Sequence, residues 1–307
     1  MLGTGDTCRG VCKNMMAWRH KIEFAAVRLL QGLAAVLPRR VAAAFGALMG
    51  EFGFLIGIRR RVTKENLHAA FPMLSTRAIR QVARAAYRHF GRVAVSFAWL
   101  PRTGPQALNR WIFVRGFDVF DEVLQRGRGA IVISGHLGNW ELMAAMVAAS
   151  GYPVTGVVTT QRNKRIEELM DELRQSVGVE IVKVREGVRG ILSALKRNRL
   201  VAILIDQDAH EAGVFVPFFG RMASTPKGAA VLHLKTGSPL IFVRSRRISR
   251  ERYVIHFEEL NTTMLQPRNA ETITALATRE LEKAVRETPE QWFWMHRRWK
   301  THPPESS

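Results

Sequence analysis

The chain has 307 residues, of which 47% are hydrophobic, enough to bury a sizeable core, and this excludes global disorder. A net charge of +20 calls for an anionic partner: nucleic acid, an anionic membrane, or an acidic ligand or carrier protein. The two cysteines, Cys8 and Cys12, sit in a polar N-terminal stretch, which excludes a disulfide framework and a zinc site.

Residues 1–20 lack the apolar run of an ordinary signal peptide. From Ile22 the composition turns apolar, and Phe24–Leu37 reads as an amphipathic or buried helix. Val41–Ile58 follows with Glu51 as its one charge, and Gly46, Gly50, Gly53 and Gly57 form a small-xxx-small series that permits close helix packing. Arg59, Arg60 and Arg61 come next, as a cytoplasmic flank would. This pattern predicts a polar tail over 1–21 and a membrane-associated helical anchor over 22–61, embedded or re-entrant. The competing expectation is a pair of helices packed on a soluble domain, whose basic flanks would still favour anionic headgroups.

One further domain is expected over 62–302. Pro72 ends a helix there and Ser75 caps the next. A short strand at Trp111–Arg115 and a helix at Val119–Gln125 lead into alternating elements. Strands are predicted at 130–134, 154–159, 179–184, 200–205, 239–244 and 252–259. Helices are predicted at 139–149, 163–177, 187–198, 226–236 and 270–287. Such alternation predicts an α/β fold with a largely parallel sheet covered by helices on both faces.

The stretch from Ala130 to Met146 carries the chemistry. Ala130–Ile133 is a buried-strand run, Ser134, Gly135 and Gly138 make a turn, and Asn139 caps a helix with Glu141 in its first turn. His136 lies in the turn. On one continuous helix His136 and Glu141 would be about 140° apart, but from a turn the chain can fold back and bring them together. A carboxylate on Nδ1–H would fix the tautomer and leave Nε2 free to accept a proton. Glu186 is a second candidate for that orienting role, and the spacing leaves the choice open. Gln161–Arg174 begins with a basic turn, Arg162, Asn163, Lys164 and Arg165, and continues into a helix; such a cluster suits a phosphate or carboxylate. Asp206, Gln207 and Asp208 end a buried strand, at the rim where α/β proteins place their sites. Val214–Gly220 reads as an apolar loop that could line an acyl path. Near the C-terminus, Trp292, Trp294 and Trp299 interleave with His296, Arg297, Arg298 and Lys300, a texture suited to a membrane–water interface, to base stacking or to a core.

The segment SGHLGNWE after a buried strand, together with the ordered set DQD, GVFVPFFG, TPKGAA and TGSPLI between Asp206 and Ile241, closely resembles the bacterial lipid A biosynthesis acyltransferases, the lauroyl and myristoyl transferases of the lysophospholipid acyltransferase superfamily. Asn66-Leu67, Ala70-Phe71-Pro72 and PEQWFWMHRRWK extend the resemblance over roughly residues 25–300. Asn163 and Arg174 keep a spacing common in that family, whereas Ser96 stands where many members carry glutamate and Val158-Thr159-Thr160 where many carry Tyr-Arg.

The resemblance implies an acyltransferase domain over 62–302 at the cytoplasmic face of the inner membrane. It implies His136 and Glu141 as catalytic residues, with Asn163, Arg174, Glu186, Asp206, Gln207 and Asp208 toward substrate, and neither cofactor nor metal. The implied donor is acyl-acyl carrier protein and the implied acceptor a lipid A precursor. The runner-up is another membrane glycolipid, such as a phosphatidylinositol mannoside, acylated from acyl-coenzyme A. A nucleic-acid-binding protein is disfavoured, because no helix-turn-helix, zinc or RNP signature is present. A serine hydrolase is disfavoured by the lack of a Gly-x-Ser-x-Gly elbow.

Overall fold

The computed structural model describes residues 18, 20–33, 36–100, 104–249 and 252–304. Cys8, Cys12 and most of the expected polar tail lie outside them, as does the side chain of Glu186, whose backbone is in a short 3-10 turn.

The N-terminal third is helical: α1 (20–33), α2 (Arg39–Leu55), α3 (Arg60–Ala70) and α4 (Thr76–Ala98). The Ser75 hydroxyl accepts from Ala78 N–H and starts α4. The glycines of α2 earn their place against α4. A Cβ on Gly50 would lie 1.9 Å from the Tyr87 carbonyl oxygen, and one on Gly91 would lie 1.9 Å from that of Gly46. The two backbones therefore touch, and the roughly 1 kcal/mol that alanine gains over glycine in a helix does not offset such an overlap. Glu51, the one charge of the apolar run, pairs with Arg84 and Arg88 of α4.

Among the described residues no single helix is long and apolar enough to cross a membrane; α2 and α3 reach that length and composition only together, across a 91° bend. Helix α2 nevertheless leaves Leu48, Phe52 and Leu55 exposed, and Ile56 and Ile58 in the following bend are exposed too.

The rest is α/β. After α5 (Pro105–Asn109) come β1 (Ile112–Arg115), α6 (Asp118–Gln125), β2 (Ala130–Ser134), α7 (Trp140–Ala149), β3 (Val154–Val158), α8 (Lys164–Gln175), β4 (Glu180–Lys183), α9 (Val188–Lys196) and β5 (Leu200–Leu204). A hairpin of β6 (Val214–Phe218) and β7 (Arg221–Thr225) follows, then α10 (Gly228–Thr236), β8 (Leu240–Arg247), β9 (Tyr253–Glu259) and α11 (Ala270–Glu287). Seven strands form one sheet in the order β1-β9-β8-β2-β5-β3-β4, and every pairing is parallel except β8 with β9. Strand β2 shows how both faces are covered. Ile131 and Ile133 join a core with α4, α9, α10 and α11, while Ala130 and Val132 join one with α6 and α7.

One expectation is corrected here, and one open reading is decided. Val214–Gly220 is not a loop along an acyl path: it is strand β6 and its turn, with Phe218 and Phe219 buried against Trp292, Trp294 and Trp299. Nor are the C-terminal tryptophans an interfacial belt. Trp292, Trp294 and Trp299 are all core residues, and Arg298 is buried with them, donating to the Ser224 carbonyl and the Thr225 hydroxyl.

Candidate active site

The site follows from the register of two neighbouring strands. Strands β2 and β5 run parallel with Ser134 opposite Leu204. Two residues beyond each strand end, His136 and Asp206 therefore emerge side by side. His136 Nδ1–H donates to Asp206 Oδ1 at 2.8 Å, and the His136 backbone N–H donates to Oδ2 at 2.7 Å. Trp292 Nε1–H donates to the same Oδ2 at 2.8 Å. Three donors thus hold a buried carboxylate that would be costly to bury unpaired.

This corrects the expected His136–Glu141 contact. Glu141 lies in the first turn of α7 and turns toward α8, where Arg174 donates to both of its oxygens, at 2.7 and 3.0 Å. Trp140 Nε1–H adds a third bond to it at 3.1 Å. With both oxygens engaged by donors from α8 and Trp140, Glu141 reaches His136 only through its field. The four residues thus form two pairs, His136–Asp206 and Glu141–Arg174; His136, Glu141 and Arg174 line one cavity, and Asp206 is buried beside His136. Burial by itself would lower the His136 pKa; the charge and hydrogen bond of Asp206, with a smaller contribution from Glu141, outweigh it and raise the value. Burial would raise the Asp206 pKa, and His136 and the other donors bring it below the usual carboxylate value.

The cavity has a volume of about 1770 Å³, well above the roughly 300–1,000 Å³ of a small-molecule site. His136 reaches it through an aromatic frame, edge-on to Trp140 at 4.8 Å, and Nε2 has no protein partner among the described residues. Met143, Ala144, Val147, Val154 and Val177 give one wall an apolar lining, and the exposed cations Arg59, Arg162, Arg189 and Lys235 stand on it as well.

The remaining candidates divide. Gln207 is exposed on the cavity. Asn163 also lines it, but its amide donates to the His20 carbonyl at 2.9 Å and so ties α8 to α1. Asp208 accepts from Thr301 Oγ1 at 2.8 Å, from Thr301 N–H at 3.1 Å and from His210 N–H at 3.0 Å, which makes it a fastening for the C-terminus.

Sequence reasoning missed the clamp on the turn that carries His136. Gly138 N–H donates to the Gln291 carbonyl and Phe293 N–H to that of His136, so the C-terminal segment lies against the turn as an isolated bridge. On the other side, fully buried His89 of α4 donates from Nε2 to the Gly138 carbonyl at 2.8 Å and accepts from Arg247 Nε at 3.2 Å. Gly138 has φ +61°, and a Cβ there would lie 1.9 Å from the Ser245 carbonyl oxygen, so only glycine fits. The one local signal for this clamp was an aromatic–basic C-terminus.

Burial, aided by the nearby arginines Arg247 and Arg92, pushes the His89 pKa down to about 3, against one opposing hydrogen bond to Gly138. The unfolded chain, with an ordinary histidine near 6.5, binds the proton first. His89 therefore contributes stability that is fully present above about pH 6.5 and is lost as pH falls toward 3. Unfolding free energies from urea titrations across this window should fall more steeply for the native chain than for His89→Gln, by up to about 1.4 kcal/mol per pH unit. Equal slopes would show that His89 is not held neutral.

Comparisons with known proteins identify the family. Residues 12–301 match the family model described as bacterial lipid A biosynthesis acyltransferase. The chain is 27% identical over 283 residues to the lipid A biosynthesis lauroyltransferase of Escherichia coli (strain K12), covering 88% of this chain and 89% of that protein. It is also 27% identical over 252 residues to the lipid A biosynthesis palmitoleoyltransferase of the same strain, covering 80% of each. A phosphatidylinositol mannoside acyltransferase of Mycobacterium tuberculosis (strain CDC 1551 / Oshkosh) is 27% identical over 163 residues, about half of each chain. With a match that spans nearly its whole length, the chain belongs to the bacterial lipid A biosynthesis acyltransferase family and is an O-acyltransferase.

Proposed function

We propose that this enzyme moves a fatty acyl group from acyl-acyl carrier protein to a hydroxyl of a lipid A precursor, with His136 as general base. One observation carries the mechanism: an imidazole whose Nδ1 side is fixed by Asp206 and whose Nε2 side opens onto a large, partly apolar cavity. Nε2 takes the proton of the acceptor hydroxyl as its oxygen attacks the thioester carbonyl. A C–O bond forms and the carbonyl becomes a tetrahedral oxyanion. The oxyanion collapses, the C–S bond breaks, and the imidazolium returns its proton to the departing thiolate. No covalent acyl-enzyme is required. Asp206 sets the tautomer and stabilises the imidazolium, and Glu141 with Arg174 fixes the wall beside them.

The apolar wall suits the acyl chain, and the exposed cations on the cavity suit an acidic carrier protein or a phosphorylated acceptor. The exposed apolar residues of α2 and the bend after it suit contact with the inner membrane at its cytoplasmic face, embedded in the interface. A second reading, transfer from acyl-coenzyme A to another glycolipid, draws on the mycobacterial relative.

The test offers the purified chain labelled acyl-acyl carrier protein and lipid A precursor in detergent, beside acyl-coenzyme A and phosphatidylinositol mannoside. Transfer from carrier protein to the lipid A precursor is expected. Transfer only in the second arm would replace the first reading with the second, and transfer in neither would overturn both substrate assignments.

A further inference from the structure

We infer that a second basic groove, beside the catalytic cavity and distinct from it, binds the phosphate of an anionic bilayer phospholipid. The inference rests on the membrane contact proposed above and adds a site to it. The groove is shallow and open to solvent, about 730 Å³ between α3 and the β6–β7 hairpin. Arg60, Arg61, Lys64 and His68 line it from α3, and Arg221 lines it from the start of β7, far away in sequence, with Glu65 as its one carboxylate. Glu65 is spent on Arg61, at 2.6 Å. Arg60 donates to the carbonyls of Phe54 and Leu55 and pairs with no carboxylate among the described residues. Lys64 and Arg221 likewise have no carboxylate partner there, so the groove keeps a clear excess of positive charge. Guanidinium forks and an ammonium group converging on one concavity suit a phosphate.

What selects a lipid over another phosphate is the neighbouring surface. The chain reaches the groove from an apolar ridge: Phe52 is 62% exposed, Leu55 and Ile56 57%, and Ile58 56%. Arg59, Arg60 and Arg61 follow at once. With that ridge in the acyl boundary, the three arginines sit at headgroup level. Arg59 lines the catalytic cavity while Arg60 and Arg61 line the groove, so the triplet straddles the two. A phospholipid headgroup held in the groove would fix the mouth of the cavity against the bilayer surface.

The experiment measures binding of the full chain to phosphatidylcholine vesicles with and without a fifth of phosphatidylglycerol, at physiological salt. It compares the native chain, Lys64→Gln with Arg221→Gln, and an equal-charge control, Arg110→Gln with Arg115→Gln, two exposed residues just before β1 and at its end. At about fivefold per cation near a charged surface, the groove pair should weaken binding to the phosphatidylglycerol vesicles about 30-fold. The control pair should lose only a few-fold, and all three proteins should bind neutral vesicles alike. Equal losses in the two pairs would reduce the groove to general charge and overturn the proposal. So would displacement of the native chain by millimolar inorganic phosphate, which would make the ligand free phosphate. So would unchanged vesicle binding together with lost binding of an acidic carrier protein. Vesicle binding needs no acyl transfer, so this test stands apart from that of the substrate assignment.

Discussion

His136→Ala is expected to remove acyl transfer to below about a thousandth of the native rate while leaving the fold intact. Loss of a general base alone costs about 10²- to 10⁴-fold, and in this cavity Nε2 of His136 is the proton acceptor that the proposed mechanism uses. The side chain is not a keystone of the core: its ring touches Trp140 and Phe293 and opens onto the cavity. The backbone bonds that clamp the turn, His136 N–H to Asp206 and Phe293 N–H to the His136 carbonyl, survive the substitution. Buried Asp206 loses the Nδ1 donor but keeps the His136 backbone N–H and the Trp292 indole, so the thermal unfolding midpoint should fall modestly while turnover collapses. Near-native turnover in the variant would rule out the base mechanism.

Asp206→Asn tests which carboxylate serves His136. The carboxylate accepts from the His136 imidazole, the His136 backbone and the Trp292 indole. An amide loses the charge and turns its NH₂ toward one of those donors. The expected cost in kcat is up to about 10⁴-fold, the loss known when the orienting aspartate of a serine-protease triad becomes asparagine. The pH profile gives the sharper reading. General-base catalysis needs neutral imidazole, so the native rate should climb as pH rises through a His136 pKa held above 6.5. Removing the Asp206 charge should shift that inflection to lower pH, because the imidazolium loses its counter-charge. Glu141→Gln should move the inflection less, since its oxygens are occupied by Arg174 and its effect on His136 is the smaller one. A larger shift from Glu141→Gln than from Asp206→Asn would restore the His136–Glu141 pairing.

Local chemistry was legible in the sequence. The run Ala130–Ile133, the glycines of the turn and the Asn139 cap required a strand, a turn and a helix, and Asn139 Oδ1 does accept from Leu142 N–H at 3.0 Å. The alternation that follows was enough for a mostly parallel sheet with helices on both faces. The β6–β7 hairpin was not legible. Its turn is Phe219-Gly220, both at positive φ, where Asn-Gly is the recognisable signal, and Pro217 within the strand argued for a loop. The tryptophans of the C-terminus could not be assigned to core or interface, because an indole beside an arginine reads the same way in both places. Burial decided it, once Arg298 found the Ser224 carbonyl and the Thr225 hydroxyl.

The sequence by itself determined that His136 would stand in a turn at the end of a buried strand and that Glu141 would open the next helix, since strand, turn and cap preferences act over a few neighbouring residues. Only the tertiary structure decided which charges meet. Asp206 comes to His136 across 70 residues because β2 and β5 pair in one register, and Arg174 reaches Glu141 from the next helix, α8. Trp292 closes the carboxylate cage from the far end of the chain. Such pairings depend on strand order and helix packing, which no local pattern of residues encodes.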